Sequence, residues 1–346
     1  VDIEKHTDPA NISKIRRGRK TEHSIDDLLK GIFNGDKTML AKAITLIEST
    51  RKDDFEKANI VLEECLQRKT DSMRIGITGV PGVGKSTFIE TLGKLLAQKG
   101  NKVAVLAIDP TSSRNKGSIL GDKTRMQGLV KEANAFVRPS PSSKSLGGVA
   151  RKTRESIILC EAAGYNVILV ETVGVGQSEV AVHGMVDFFL LLKIPGAGDE
   201  LQGIKRGIIE MADAIAINKA DGNNLENAKA AATEFKRALA LYPPKENDWK
   251  PKVLICSAFD DNSVLSVWKT IESYIGEARR TSYFSQKRKE QNKNWLYESI
   301  EGLLKTAFFN NQKVVEKMDF YTEKVINQEI TPYRAAEKLI ALSKNT

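Results

Sequence analysis

The sequence is short of the residues that disulfide scaffolds and soft metal centres use. Its 346 residues include three histidines and three cysteines, and Cys65, Cys160 and Cys256 stand far apart with no C-x-x-C pair. That spacing disfavours a disulfide framework and a thiolate metal site, and suits a reducing compartment. No run approaches the roughly 18 consecutive apolar residues of a membrane helix. The nearest, "MVDFFLLLKI", is short and carries Asp187 and Lys193, so it reads as a buried strand. No signal-peptide pattern opens the chain. The expectation is a bacterial cytoplasmic protein, with the mitochondrial matrix as the alternative. Aromatic residues are also few, at 6%. None interleaves with the basic run "KIRRGRK" at 14–20 as a single-strand platform would need. Despite a formal net charge of +9, residues 1–20 therefore read as a solvated basic tail. Neither nucleic acid nor membrane is expected as a partner.

What is present is a change of pattern along the chain. From Ser24 to about Arg68 the apolar spacing is helical: Ile25, Leu28, Leu29 and Ile32, then Leu40, Ile44 and Ile47, then Ile60, Leu62 and Leu66. From Met73, strand-length apolar runs alternate with helical stretches: "RIGIT", "KVAVLAI", "AFVRP", "NVILVE", "DFFLLLKI", "AIAINK" and "KVLICS". Several are apolar almost throughout, as parallel strands covered on both faces must be. The fold class expected is α/β, a doubly wound and mainly parallel sheet with helical extensions at both ends. The divisions expected are a tail over 1–20, a helical extension over 21–72, a nucleotide-binding domain over 73–282 and a helical arm over 283–346. Thr331 followed by Pro332 marks the start of a last helix. Apolar residues of the arm, among them Trp295, Leu296, Phe308, Phe309, Phe320 and Tyr321, need cover from the same chain or from a second copy.

The chemistry begins at "GVPGVGKST", residues 79–87, a complete phosphate loop between a strand and a helix. Gly82, Val83, Gly84 and Thr87 belong to it. The glycines let backbone N–H groups approach phosphate oxygens, Lys85 would neutralise the β and γ groups, and Ser86 would ligate Mg²⁺. Asp109 closes the second strand in "AIDPTSS", on the ligand side of such a sheet, where it could meet the metal shell or an attacking water; an Asp-Pro turn is the alternative. "GSILGDKTRM" with Asp122 follows where a γ-phosphate-sensing loop would lie, although a plain solvated loop would look the same. In "VILVETVGVGQSE", Glu171 is placed to hold Mg²⁺ through water. Gly174 or Gly176 could present its N–H to the γ-phosphate, and Gln177 could orient water, although it does not immediately follow Gly174. "NKAD" at 218–221 selects the base: Asp221 can accept both N1–H and the exocyclic amino group of guanine, and adenine would leave that buried carboxylate unpaired. Asn218 would brace the loops, the Lys219 stem would cover the base, and Ser257 and Ala258 in "CSA" fit the loop at the base edge. The residues thus describe a Mg²⁺-dependent GTP-binding domain of slow turnover. Arg114, Arg125, Arg151 and Arg206 are all candidate arginine fingers, and the sequence does not choose among them.

Taken in order, "GVPGVGKST", "DPTSS", "GSILGDKTRM", "RPSPSSKSLGGVAR", "ETVGVGQSE", "GDELQGIKRG" and "NKAD" resemble the MeaB/ArgK family, the methylmalonyl-CoA mutase-associated G proteins. "TPYRAA" is similar to the family's last helix. The resemblance runs from about residue 25 onward. It implies a homodimeric GTPase joined through its C-terminal helices. Such a protein binds a cobalamin-dependent acyl-CoA mutase, gates adenosylcobalamin delivery, protects or reactivates the enzyme, and holds no cobalamin itself. It further implies an acidic set of Asp109, Asp122 and Glu171 around the metal and switches. Residues 196–207 would form an additional switch in which Lys205 takes part. "RNKG" at 114–117 departs from the Gly-rich run expected there. Two other readings compete. A kinase acting on amino-acid transport proteins would most simply need ATP, and a nickel-insertion GTPase would want a His-rich tract or paired Cys.

Overall fold

The computed structural model describes residues 23–68, 70–108, 126–139, 146–172, 177–196 and 206–344. Within these, seven strands form one sheet: β1 (Met73–Thr78), β2 (Val103–Ile108), β3 (Ala135–Arg138), β4 (Val167–Thr172), β5 (Phe188–Lys193), β6 (Ala214–Ile217) and β7 (Lys252–Ile255). Each coincides with one of the apolar runs read from the sequence. Their order is β3-β2-β4-β1-β5-β6-β7, parallel throughout. From β1 the chain works outward through β2 to β3 and returns to β4 beside β1. It then continues on the other side through β5, β6 and β7. Ile75 of β1 faces Leu169 of β4 on one side and Phe188 of β5 on the other. This reversal makes the carboxyl end of β1 a topological switch point, where open α/β sheets bind ligands.

Helices cover the sheet because its strands have no polar face: β4, β5 and β6 are buried at every residue. They are α4 (Lys85–Gln98), α5 (Gln127–Val130), α6 (Leu146–Ala162), α7 (Gln177–His183), α8 (Arg206–Met211), α9 (Leu225–Leu239) and α10 (Asp261–Arg280), numbered after three N-terminal helices given below. Phe88, Ile89, Leu92 and Leu96 of α4 are completely buried, each worth roughly 1.5–3 kcal/mol relative to exposure. The two charges in "MVDFFLLLKI" are both accommodated. Asp187 accepts the Arg74 amide at 2.8 Å, and Lys193 Nζ lies 5.7 Å from the centre of the Phe235 ring.

Ahead of the sheet come α1 (Ile25–Phe33), α2 (Lys37–Glu48) and α3 (Lys52–Leu66). Ser24 and Asp27 close a reciprocal capping box on α1, and Asp36 caps α2 through Thr38 and Met39. Helices α2 and α3 pack on α6. The face expected for α3 is wrong in part. Ile60 and Leu66 are 41% and 61% exposed, whereas Ala58, Val61, Leu62 and Cys65 are buried. Ala58 and Cys65 share that contact with Val61 and Leu62, and such small or sulfur-bearing residues weigh little in a search for large apolar side chains.

The chain separates into two compact units, one ending at Thr281 and the next beginning at Ser282. The second consists of α11 (Tyr283–Phe309), α12 (Gln312–Ile326) and α13 (Pro332–Lys344). Asn311 caps α12, and the Thr331 hydroxyl accepts the Arg334 amide at 3.3 Å at the start of α13. Val314, Ala335 and Leu339 are buried, while Leu296, Leu303, Leu304, Phe309 and Phe320 are each at least half exposed.

Candidate functional site

The phosphate loop joins the carboxyl end of β1 to α4, the strand–loop–helix context its sequence requires. Its backbone is one that glycine permits. Gly84 has φ +95°, and a Cβ there would lie 2.6 Å from Asn218 Nδ2. At Gly79 a Cβ would lie 2.5 Å from the Leu192 carbonyl oxygen of β5, so the loop is seated directly against the neighbouring strand. Val83 is buried and Gly82 exposed. Lys85 is 8% exposed, and its Nζ donates to the carbonyls of Gly79 at 2.8 Å and Val80 at 3.2 Å. An ammonium curled across its own loop is preformed for an anion in the concavity. Thr87 follows on the first turn of α4, half-buried.

Glu171, buried near the end of β4, accepts the Ser86 hydroxyl at 3.0 Å. Residues 85 positions apart are brought together because β4 is the parallel neighbour of β1. The adjacent Thr172 hydroxyl donates to Thr78 at 2.8 Å, fixing the strand ends on which both motifs sit. A hydroxyl and a carboxylate of this kind suit a hard cation with oxygen ligands. Among the described residues no group of three or more His, Cys, Asp or Glu could hold a metal alone.

At the base end, Asn218 follows β6 and is 1% exposed. Its Nδ2 donates to the Val83 carbonyl at 2.8 Å and its Oδ1 accepts the Ala258 amide at 3.0 Å. One side chain therefore joins the phosphate loop to the "CSA" loop. Ser257 Oγ donates to Asp221 Oδ1 at 2.9 Å. Lys219 has φ +59°, a left-handed backbone that costs a non-glycine residue of the order of 1 kcal/mol, and Asn224 holds its carbonyl at 2.9 Å. Asp221 is exposed rather than buried. It is open to an incoming donor pair on the side that Ser257 leaves, and the discrimination expected of it would operate once a base covers it.

The sequence did not mark Thr91, whose hydroxyl donates to the Ala258 carbonyl at 2.8 Å, or Ser263. Ser263 Oγ accepts the Ser257 amide at 3.0 Å, and its single proton lies between the carbonyls of Ser257 and Asp260, each at 2.9 Å. Threonine and serine on helices are too common to stand out without a contact map. A small cavity behind the phosphate loop is lined by Gly79 and Val80, by Glu179 of α7, by Lys193, and by Ile208 and Ile209 of α8. Asp109, Asp122, Gly174, Gly176 and Lys205, with Arg114 and Arg125, lie outside the described residues, as do the basic run 14–20 and the side chains of Gln177 and Arg206. Arg151 is engaged by Glu155 at 2.7 Å.

A parallel sheet with this loop at its switch point, an acid beside the loop's serine, and an Asn-Lys-x-Asp strand end tied back to the loop define a P-loop GTPase. Comparison with known proteins places it further. The sequence profile described as "Methylmalonyl Co-A mutase-associated GTPase MeaB" matches residues 40–313. A probable GTPase of Mycobacterium tuberculosis is 44% identical over 94% of this chain and 97% of its own length. The mouse protein named "Methylmalonic aciduria type A homolog, mitochondrial" is 42% identical over 94% of this chain and 81% of its own. A crystal structure of "LAO/AO transport system kinase" superposes with a TM-score of 0.74 at 33% identity, covering 94% of this chain and 99% of that one. The chain belongs to the MeaB family of GTPases. Bacterial and mitochondrial proteins both occur among its relatives. Among the described residues no helix is long and apolar enough to cross a membrane.

Proposed function

We propose that this GTPase serves a cobalamin-dependent acyl-CoA mutase of the methylmalonyl-CoA type, gating adenosylcobalamin loading and protecting or reactivating the enzyme. The family match over residues 40–313 carries the partner. The Asn218 bridge between the two loops supports the nucleotide. In this reading Gly82, Val83, Gly84 and Thr87 line the phosphates, and Lys85 turns from the Gly79 carbonyl to the β and γ groups. Ser86 and Glu171, with Asp109 and Asp122, hold Mg²⁺, which when bound screens the charge of the phosphates. Gly174, Gln177 and Lys205 belong to the segments that respond when the γ-phosphate leaves. Asp221 reads guanine, Lys219 covers it, and Ser257 and Ala258 border its edge. Intrinsic turnover is slow and the mutase stimulates it. No cobalamin is held by this chain. Its second unit pairs with the same unit of another copy, covering Leu296, Leu303 and Leu304.

The test is co-elution of the full chain with methylmalonyl-CoA mutase in GTP, in GDP and without nucleotide, with GTP hydrolysis followed in parallel. Nucleotide-dependent association and faster hydrolysis are expected. Neither effect in any state would reduce the chain to a GTPase with another client. Calorimetry with Mg²⁺ separates the kinase reading, since equal affinity for GTP and ATP would remove the role given to Asp221. Light scattering of the full chain checks the dimer.

A further inference from the structure

Phe259 follows Ser257 and Ala258 and is 81% exposed, a degree matched among the large hydrophobic residues described only by Leu241 at 87%. An exposed phenyl ring contributes almost nothing to folding. Yet the backbone that carries it is held from several directions. The Phe259 amide donates to Ser257 Oγ at 3.3 Å, and that same oxygen donates to Asp221 at 2.9 Å. The amide of Ala258 is fixed by Asn218 and its carbonyl by Thr91. On the other flank Asp260 caps α10 through Asn262 and Ser263. The result is a braced loop that exposes an aromatic side chain on a residue whose amide is one hydroxyl away from the carboxylate proposed to read the base.

We infer that Phe259 forms an aromatic wall of the guanine pocket, stacking on the purine whose edge Asp221 reads. The inference rests on the GTP reading above and deepens it. The chemistry is complementary. Asp221 recognises the donor edge of the base and is blind to its faces, whereas a phenyl ring takes any purine face and is blind to the edge. A side chain with two rotatable bonds on a braced backbone loses little entropy when the base arrives.

The experiment is calorimetry of the full chain, with Mg²⁺, against GDP and inosine diphosphate, which lacks the exocyclic amino group. Phe259→Ala is expected to weaken both ligands by the same factor, about tenfold, and Phe259→Trp to restore them. Asp221→Asn should instead change the ratio between the two. The unfolding midpoint without nucleotide should not move in Phe259→Ala, since the ring is exposed. Affinities in Phe259→Ala within about twofold of the parent for both ligands would overturn the inference, as would a loss confined to GDP. Normal nucleotide affinity with lost mutase association would overturn it too and assign the ring to a protein contact. If the parent chain binds neither ligand, the GTP reading fails first and the stacking role with it.

Discussion

The two ends of the nucleotide site are built on different principles. The phosphate end is made of backbone: glycine conformations, carbonyls gathered by one lysine, and a loop seated against the main chain of β5. The base end is made of side chains, with Asn218, Asp221, Ser257, Thr91 and Ser263 holding loops from separate strands and helices. Backbone sites tolerate change at most side chains but not at their glycines or lysine. Side-chain networks spread their energy over several bonds, each worth about 0.5–1.5 kcal/mol net.

Lys85→Ala is the strongest way to break this contrast. It should lower GTP turnover by about a hundredfold or more while the protein stays folded, as read by phosphate release and circular dichroism. Unchanged turnover would show that the backbone alone suffices. Asn218→Ala comes next, because it strips a bond from each end and leaves the Val83 carbonyl and Ala258 amide unpaired. A loss of about 2–3 kcal/mol in unfolding free energy is expected, together with weaker binding of guanosine as well as of the nucleotide. A loss confined to the phosphates would mean the two loops are not joined in function. Thr91→Val removes one hydrogen bond at nearly constant volume and should cost about 1 kcal/mol, seen as a several-fold rise in the dissociation constant for GDP. No change would leave Asn218 as the effective brace of Ala258.

The smallest effect concerns Cys256, at the root of the base loop. Burial, the first cause, raises its thiol from 9.0 to about 11, with the neighbouring Asp260 carboxylate adding to the rise against the lowering by Ser263. A raised folded value means that the contribution to stability is complete below pH 9 and fades as pH climbs through 11. Ultraviolet thiolate absorbance should therefore stay low in the folded protein at pH values where the unfolded chain already shows it. Early ionisation at this position would show that the base loop opens.

The same contrast explains what could be read in advance. All seven strands were legible, because a sheet covered on both faces must be apolar along its whole length, as "VILVE" and "FFLLL" are. The phosphate loop was legible because backbone geometry forces glycine at positions such as 79 and 84. Much of the base end was legible too: Asn218, Lys219 and Asp221 stand at a tell-tale spacing, and Ser257 and Ala258 follow another strand, where the structure ties them to Asp221 and Asn218. Thr91 was not, since its partner Ala258 lies 167 residues away, and Ser263 was not, since a serine near a helix start signals a cap before it signals a brace for the loop ahead. The contact face of α3 was misjudged because Ala58 and Cys65 do in packing what Ile60 and Leu66 had been expected to do.

The amide of Asn218 has a consequence for how the loops can move. Its two bonds act as a lever with one arm on Val83 and the other on Ala258. A shift of the base loop by an ångström or so would break one arm or drag the other. The phosphate loop and the base loop are thus geared together, and movement of one is felt at the other.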